Sequence, residues 1–299
     1  MVFLALAVAC STAIAVIFKL TEGRYDRIAL VTVNYAAAVV VALVLLAIDP
    51  PARGLTADGP LIVLGCVLGF LFIAGFGLFS KAIGVAGISL ATATMRLSVA
   101  VPFLASWFVW HEVPTSGQTC GLLRAGGAFL LISRPSAPAS AANLVPEPTG
   151  SRRPSAPLAA AILLALLFIA GGLVDTSLKV FEEEFAAENS RSLFLLVVFG
   201  VALLFGGMLV GARRLRSGVW PKPGVVPWGV VLGLVNYGSA EFMLLALRDV
   251  PGTVAFPVNN VAVVALATFL GIAFWSERPS RANRVGLVLA IIALALLAF

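Results

Sequence analysis

Charge is what this sequence has least of. Asp, Glu, Lys and Arg make up 11% of the 299 residues, against about 25% in a soluble domain. Hydrophobic residues reach 61%, and the mean hydropathy of +1.06 leaves too few polar residues to cover a water-exposed surface. A soluble globular fold is excluded, and the chain reads as a polytopic membrane protein. Histidine is nearly absent: His111 stands alone, so a histidine-based metal site is excluded. The three cysteines, Cys10, Cys66 and Cys120, lie in or beside apolar runs without metal-ligand spacing, and they read as small buried hydrophobes. No nucleophile elbow, Walker loop, zinc motif or cofactor fingerprint is present, so the chain is not read as an enzyme and no cofactor is implied. The net charge of +6 sits mostly at the ends of apolar segments. It reads as orientation signal and headgroup contact, not as a nucleic-acid surface.

What the chain does have is long apolar runs. Each run of about 20 residues can cross a bilayer, and in lipid each must be a helix to satisfy its backbone. Ten such runs are found, at 1–20, 28–48, 60–80, 88–110, 116–133, 158–178, 192–212, 224–247, 252–275 and 283–299. Residues 1–20 lack a basic segment ahead of the apolar run and read as a first membrane helix, not a removed leader. One connection differs from the rest. Residues 134–157, RPSAPASAANLVPEPTGSRRPSAP, are rich in Pro, Ala and Ser and read as a flexible tether. The expected organisation is a first five-helix repeat at 1–133, the tether at 134–157, and a second five-helix repeat at 158–299.

The repeat is visible in the residues. At a constant offset of 165, Gly87, Val99, Ala100, Trp110, Glu112, Pro114, Gly121 and Leu122 fall on Gly252, Val264, Ala265, Trp275, Glu277, Pro279, Gly286 and Leu287. The shared Trp-x-Glu-x-Pro followed by Gly-Leu is improbable by chance and marks an internal duplication. Gly65 and Gly69 likewise correspond to Gly229 and Gly233; each pair is four residues apart, on one helix face, where small residues let backbones approach. Because five is odd, tandem five-helix repeats enter the membrane in opposite directions. The expected fold is therefore all-α, ten transmembrane helices as two inverted five-helix repeats.

Basic residues give an orientation. With the N-terminus outside, fourteen of the 20 Lys and Arg fall on the cytoplasmic side and five on the external side, with Arg96 inside the membrane. This bias places both termini outside.

The two repeats, each closing on Glu, a short loop and a Gly nine residues after it (Glu112 with Gly121, Glu277 with Gly286), resemble the drug/metabolite transporter superfamily, and within it the ten-helix EamA-like branch. The resemblance covers nearly the whole chain. It implies a secondary transporter in a bacterial inner membrane that moves a small metabolite outward by alternating access, through a cavity lined by both halves. It also implies both termini inside, opposite to the charge bias.

Candidate site residues follow from the cost of polar groups in lipid. Arg96 lies about nine residues into the fourth run, where a charge costs about 2.5–3.5 kcal/mol, and Thr92 shares its helix face one turn earlier. Tyr237 and Glu241 in the eighth run, Asn259 and Asn260 after Pro257 in the ninth, and Asn34 beside Tyr35 in the second complete the list. Arg96 is expected to anchor an anionic group of a polar or zwitterionic substrate, in a cavity shared with Tyr237, Glu241 and Asn260. Glu241 is a candidate carrier of a coupling proton, and Pro257 is expected to break its helix and free backbone carbonyls. The alternative for Arg96 is a structural ion pair, with Asp175 and Glu241 as the possible carboxylate partners; Asp175 is expected instead to pair locally with Lys179 at i+4. Glu112 and Glu277 are expected to brace helix ends. Beside a small-molecule substrate and the lipid bilayer, no partner is implied; oligomeric state is open. A lipid-linked carrier flippase and a non-transporting membrane scaffold or receptor are the alternative readings.

Overall fold

The structure, a computed structural model, describes residues 1–50, 58–86, 88–132, 157–218, 220–275 and 280–298. These residues form eleven α-helices and no strand: α1 (Val2–Thr21), α2 (Arg27–Ile48), α3 (Gly59–Ala86), α4 (Ile88–Leu97), α5 (Ala100–Phe108), α6 (Ser116–Ile132), α7 (Pro157–Val180), α8 (Arg191–Ser217), α9 (Val225–Leu247), α10 (Gly252–Trp275) and α11 (Arg281–Ala298). A π turn, Phe181–Phe185, prolongs α7. Counting α4 and α5 as one broken element gives the ten expected helices, and eight of them are long and apolar enough to cross a membrane. The architecture is that of a multi-pass membrane protein. The shorter α6 and α11, of 17 and 18 residues, pack against each other. Most of the tether, and Glu277 with the loop around it, lie outside the described residues. Pro157, assigned to the tether from the sequence, instead opens α7, at a position whose N–H has no partner within the helix anyway.

The packing joins the first half to the second more than it joins neighbours in the chain. α1 lies on α9, α2 on α8 and α9, and α3 on α7 and α8. One seam is built twice from small residues. A methyl group added at Gly65 would sit 2.8 Å from Val197, and one at Gly69 would meet the Val198 carbonyl and Val201. At Gly229 it would sit 2.5 Å from Val33, and at Gly233 2.5 Å from the Asn34 carbonyl and 2.6 Å from Ala37. Both seams climb in the same sense, so α3 runs parallel to α8 and α9 parallel to α2. At the third contact Gly121 faces Leu296 and Leu297 while Gly286 faces Leu131 and Ile132, which makes α6 and α11 antiparallel. These backbones approach closely because the glycines carry no side chain to separate them. Tyr35, Phe72, Phe199 and Tyr237, one ring from each of α2, α3, α8 and α9, stack in the middle of the bundle with centroids 5.8–6.5 Å apart.

The helix ends define two faces. The chain termini, the α5–α6 turn, the α7–α8 connection and the α9–α10 turn share one, here the termini face. The α1–α2 turn, the end of α6, the start of α7, the end of α8 and the start of α9 share the other, the tether face.

Candidate functional site

The fourth span is interrupted in its middle, and Pro102 supplies the reason. Lacking an N–H, Pro102 cannot bond the Ser98 carbonyl four residues back. That carbonyl is taken instead by Val101 N at 2.9 Å, the Ser98 hydroxyl donates to Met95 O at 2.6 Å, and α5 resumes beyond. The sequence placed the broken helix at Pro257; the structure corrects this. α10 runs through Pro257 without interruption. That proline lies near the helix start, where it forfeits only a bond to Thr253 O, at the edge of the first turn.

The break leaves Arg96 in the last turn of α4, where the partial negative charge of the helix C-terminus favours a cation. The interrupted segment is pressed onto α7 at Gly171, 2.7 Å from the Ser98 hydroxyl at its absent Cβ, and at Gly172, which meets Val101. One turn beyond those glycines stands Asp175. Its carboxylate lies near the Arg96 charge and the Asn260 amide. Arg96 Nη1 donates to Asn260 Oδ1 at 3.4 Å, and Asn260 Nδ2 also donates to Phe256 O at 3.2 Å. The amide thus gives its carbonyl to the guanidinium and its NH2 to the backbone one turn back. Asn260 lies eight residues into α10, roughly 12 Å below the termini face. Arg96, Asp175 and Thr92 are each half-buried, and Asn260 is buried.

Asp175 is the member that sequence reasoning misassigned. Lys179 does not pair with it. Its side chain, 1% exposed, reaches Glu112 Oε1 at 2.5 Å and also Glu183. The available signal was the Gly171–Gly172 pair one turn earlier, which marks a close approach of another element to that face of α7.

Tyr237 and Glu241 take partners other than Arg96. Glu241 accepts from Arg191 Nε at 3.0 Å, and Tyr237 donates to the Ser192 hydroxyl at 3.4 Å. Both partners come from the first turn of α8, and no bond of Tyr237 or Glu241 to Arg96 is found among the described residues. Asn34 is buried on the α2–α9 seam; its Oδ1, like that of Asn259 and like Glu241 Oε2, is buried without a hydrogen-bond partner among the described residues.

Glu112 braces more than its own loop. His111, at φ 57 the one non-glycine with positive φ among the described residues, ends the helix in a left-handed turn, and Glu112 N bonds back to Ser106 O at 3.1 Å. The turn aims the Glu112 carboxylate inward, where Oε1 meets Lys179 of α7 and Oε2 accepts from Thr253 N at 3.1 Å in the first turn of α10. Around it, Trp110 Nε1 donates to Glu184 at 3.3 Å and Arg248 lies 3.6 Å from Glu182.

Two comparisons bear on the architecture. An uncharacterized protein of Haemophilus influenzae is 25% identical over 300 residues, covering 96% of this chain and 94% of its own. A solved crystal structure superposes with a TM-score of 0.70 at 17% identity, covering 99% of this chain and 94% of that one, and so shares the fold. No family model matches the sequence.

Proposed function

We propose that this protein is a secondary transporter, of the EamA-like branch of the drug/metabolite transporter superfamily, that exports a small polar or zwitterionic metabolite across a bacterial inner membrane by alternating access. The observation that carries the reading is the Arg96–Asp175–Asn260 cluster at a broken helix, between helices of the two halves. Opposite charges set in an apolar bundle are often no more stabilising than apolar residues in their place, so their presence in lipid points to a ligand or ion pathway. Interrupted helices with half-helix ends aimed at a midplane site are a recurrent transporter device.

Helix directions support an inverted duplication. Two repeats inserted the same way would make α2 and α9 antiparallel, whereas their glycine seam has them parallel. At the offset of 165, Arg96 corresponds to Val261, the neighbour of Asn260, so the contact between them lies beside the axis relating the halves. In an inverted pair that axis lies in the membrane plane, and a site on it is reached equally from either side. In this reading the tether face is cytoplasmic and the termini face external, as the basic residues favour.

The test is counterflow and efflux in proteoliposomes, with and without a pH gradient, using anionic, zwitterionic and cationic metabolites. Arg96→Lys keeps a charge opposite Asp175 but removes the planar fork that grips a carboxylate in two places. Flux of a carboxylate-bearing substrate is expected to fall at least about tenfold, the loss of roughly one charge-assisted hydrogen bond, with melting temperature retained. Wild-type flux in Arg96→Lys, or no flux of any class in the wild type, overturns the proposal. A lipid-linked carrier as the transported species is tested in the same vesicles.

A further inference from the structure

At 27 residues, α8 is roughly 40 Å long, longer than the roughly 30 Å hydrocarbon layer. Its last turns therefore enter the headgroup region on the tether face. Gly218, at φ 68, ends the helix with its N–H on Arg214 O at 2.8 Å. The chain then folds back so that the Arg214 guanidinium lies 3.6 Å from the centroid of the Trp220 ring. Beside this stacked pair a lateral cleft of about 420 Å³ opens, lined also by Thr32 of α2 and by Gly207, Val210, Gly211 and Leu215 of α8. Gly206 closes against Thr32, but Gly207 and Gly211 have no atom within 4 Å of where a side chain would begin, which leaves an open apolar floor. The neighbouring Leu204 and Met208 are 63% and 66% exposed and give that side of α8 to lipid.

Charge at the end of the floor is one-sided. Asp26 neutralises Arg213 at 2.8 Å, whereas among the described residues no carboxylate pairs with Arg214 or Arg216. An apolar trough that faces the bilayer and ends in unneutralised guanidinium at headgroup depth matches one occupant. We propose that the cleft binds an anionic glycerophospholipid, its phosphate on Arg214 and one acyl chain along Gly207 and Gly211. The Trp220 ring fixes Arg214 by cation–π contact and sits where interfacial tryptophans are favoured. A zwitterionic lipid brings its own cation toward Arg214, and free phosphate gains nothing from the apolar floor.

The full chain, purified in detergent, is titrated with phosphatidylglycerol, phosphatidylcholine or inorganic phosphate, and bound lipid is counted by native mass spectrometry. Phosphatidylglycerol is expected to bind at least about fivefold more tightly than phosphatidylcholine, and inorganic phosphate to leave it in place. Arg214→Gln is expected to weaken phosphatidylglycerol about fivefold, the equivalent of about 1 kcal/mol per basic group at a membrane surface. Gly207→Leu, placed where no atom resists it, fills the floor and weakens both lipids without changing charge. Lys81→Gln, an exposed cation on the same face, leaves binding unchanged. Equal affinity for the two lipids, displacement by inorganic phosphate, unchanged binding in Arg214→Gln or Gly207→Leu, or an equal loss in Lys81→Gln overturns the site.

Discussion

The two faces of the bundle hold their charges differently. On the termini face, at least one partner of each of three pairs is drawn inward, and these pairs join elements that are distant in sequence: Lys179 of α7 with Glu112 beyond α5, Glu241 of α9 with Arg191 of α8, and the exposed Arg248 after α9 with the largely buried Glu182 of the π turn. On the tether face the ion pairs are exposed, with Arg27 on Glu22 five residues away and Arg213 on Asp26, side chains 43–61% exposed in all. Burial sets the strength of such pairs. Exposed pairs contribute about 0–1 kcal/mol, whereas removing one partner of a buried pair costs about 3–5 kcal/mol because the other charge is left unpaired. The termini face is locked by side chains, and the described tether face is held mainly by helix packing.

The largest expected effect tests that contrast directly. Lys179→Met strands Glu112 and should lower stability by about 3–5 kcal/mol, read as a fall in melting temperature in detergent. If Asp26→Asn, which keeps the Asp26 cap on Ala29 N but removes the exposed bridge, costs as much, the two faces do not differ. Next in size are the seams: Gly233→Val drives a side chain into the Asn34 carbonyl and Ala37, and overpacking of this kind costs about 1–3 kcal/mol. Gly200→Ala, on the same bundle with nothing within 4 Å, should instead be neutral or stabilising by up to about 1 kcal/mol through helix propensity. His111→Gly relieves a left-handed residue and should raise stability by about 1 kcal/mol; a fall would mean that the imidazole has a role of its own. Asp26→Asn itself is the smallest, under about 1 kcal/mol.

Helix number and extent were legible because lipid leaves the backbone only one solution, and nearly every boundary falls within a few residues of the apolar run that announced it. Arg96 was legible for the same reason: an uncompensated charge in an apolar run is conspicuous in one dimension. Its partner was not. Asp175 has Lys179 one turn away on its own helix, and periodicity alone favours that local pair over a contact with α4, which depends on how closely Gly171 and Gly172 admit the neighbouring element. Glu241 failed in the opposite direction, since Arg191 lies 50 residues away and meets it only once α8 and α9 are side by side. The two prolines show the same limit. Pro102 and Pro257 carry identical chemistry, but one lies where the span must continue on both sides and the other near a helix start, and only the first interrupts the hydrogen-bond ladder.

That interruption also has a mechanical meaning. A continuous helix is stiff in bending along its whole length, so a tilt at one end is transmitted to the other. Between Leu97 and Ala100 the ladder tightens to bonds three residues back and lacks the one that Pro102 cannot make, so the fourth span is two short rods meeting at a turn, with Arg96 just before it. α5 carries the Glu112 lock at its far end while α4 leads to the tether face. The lock and the tether face are therefore joined only through that turn, beside Asn260 of the unbroken α10.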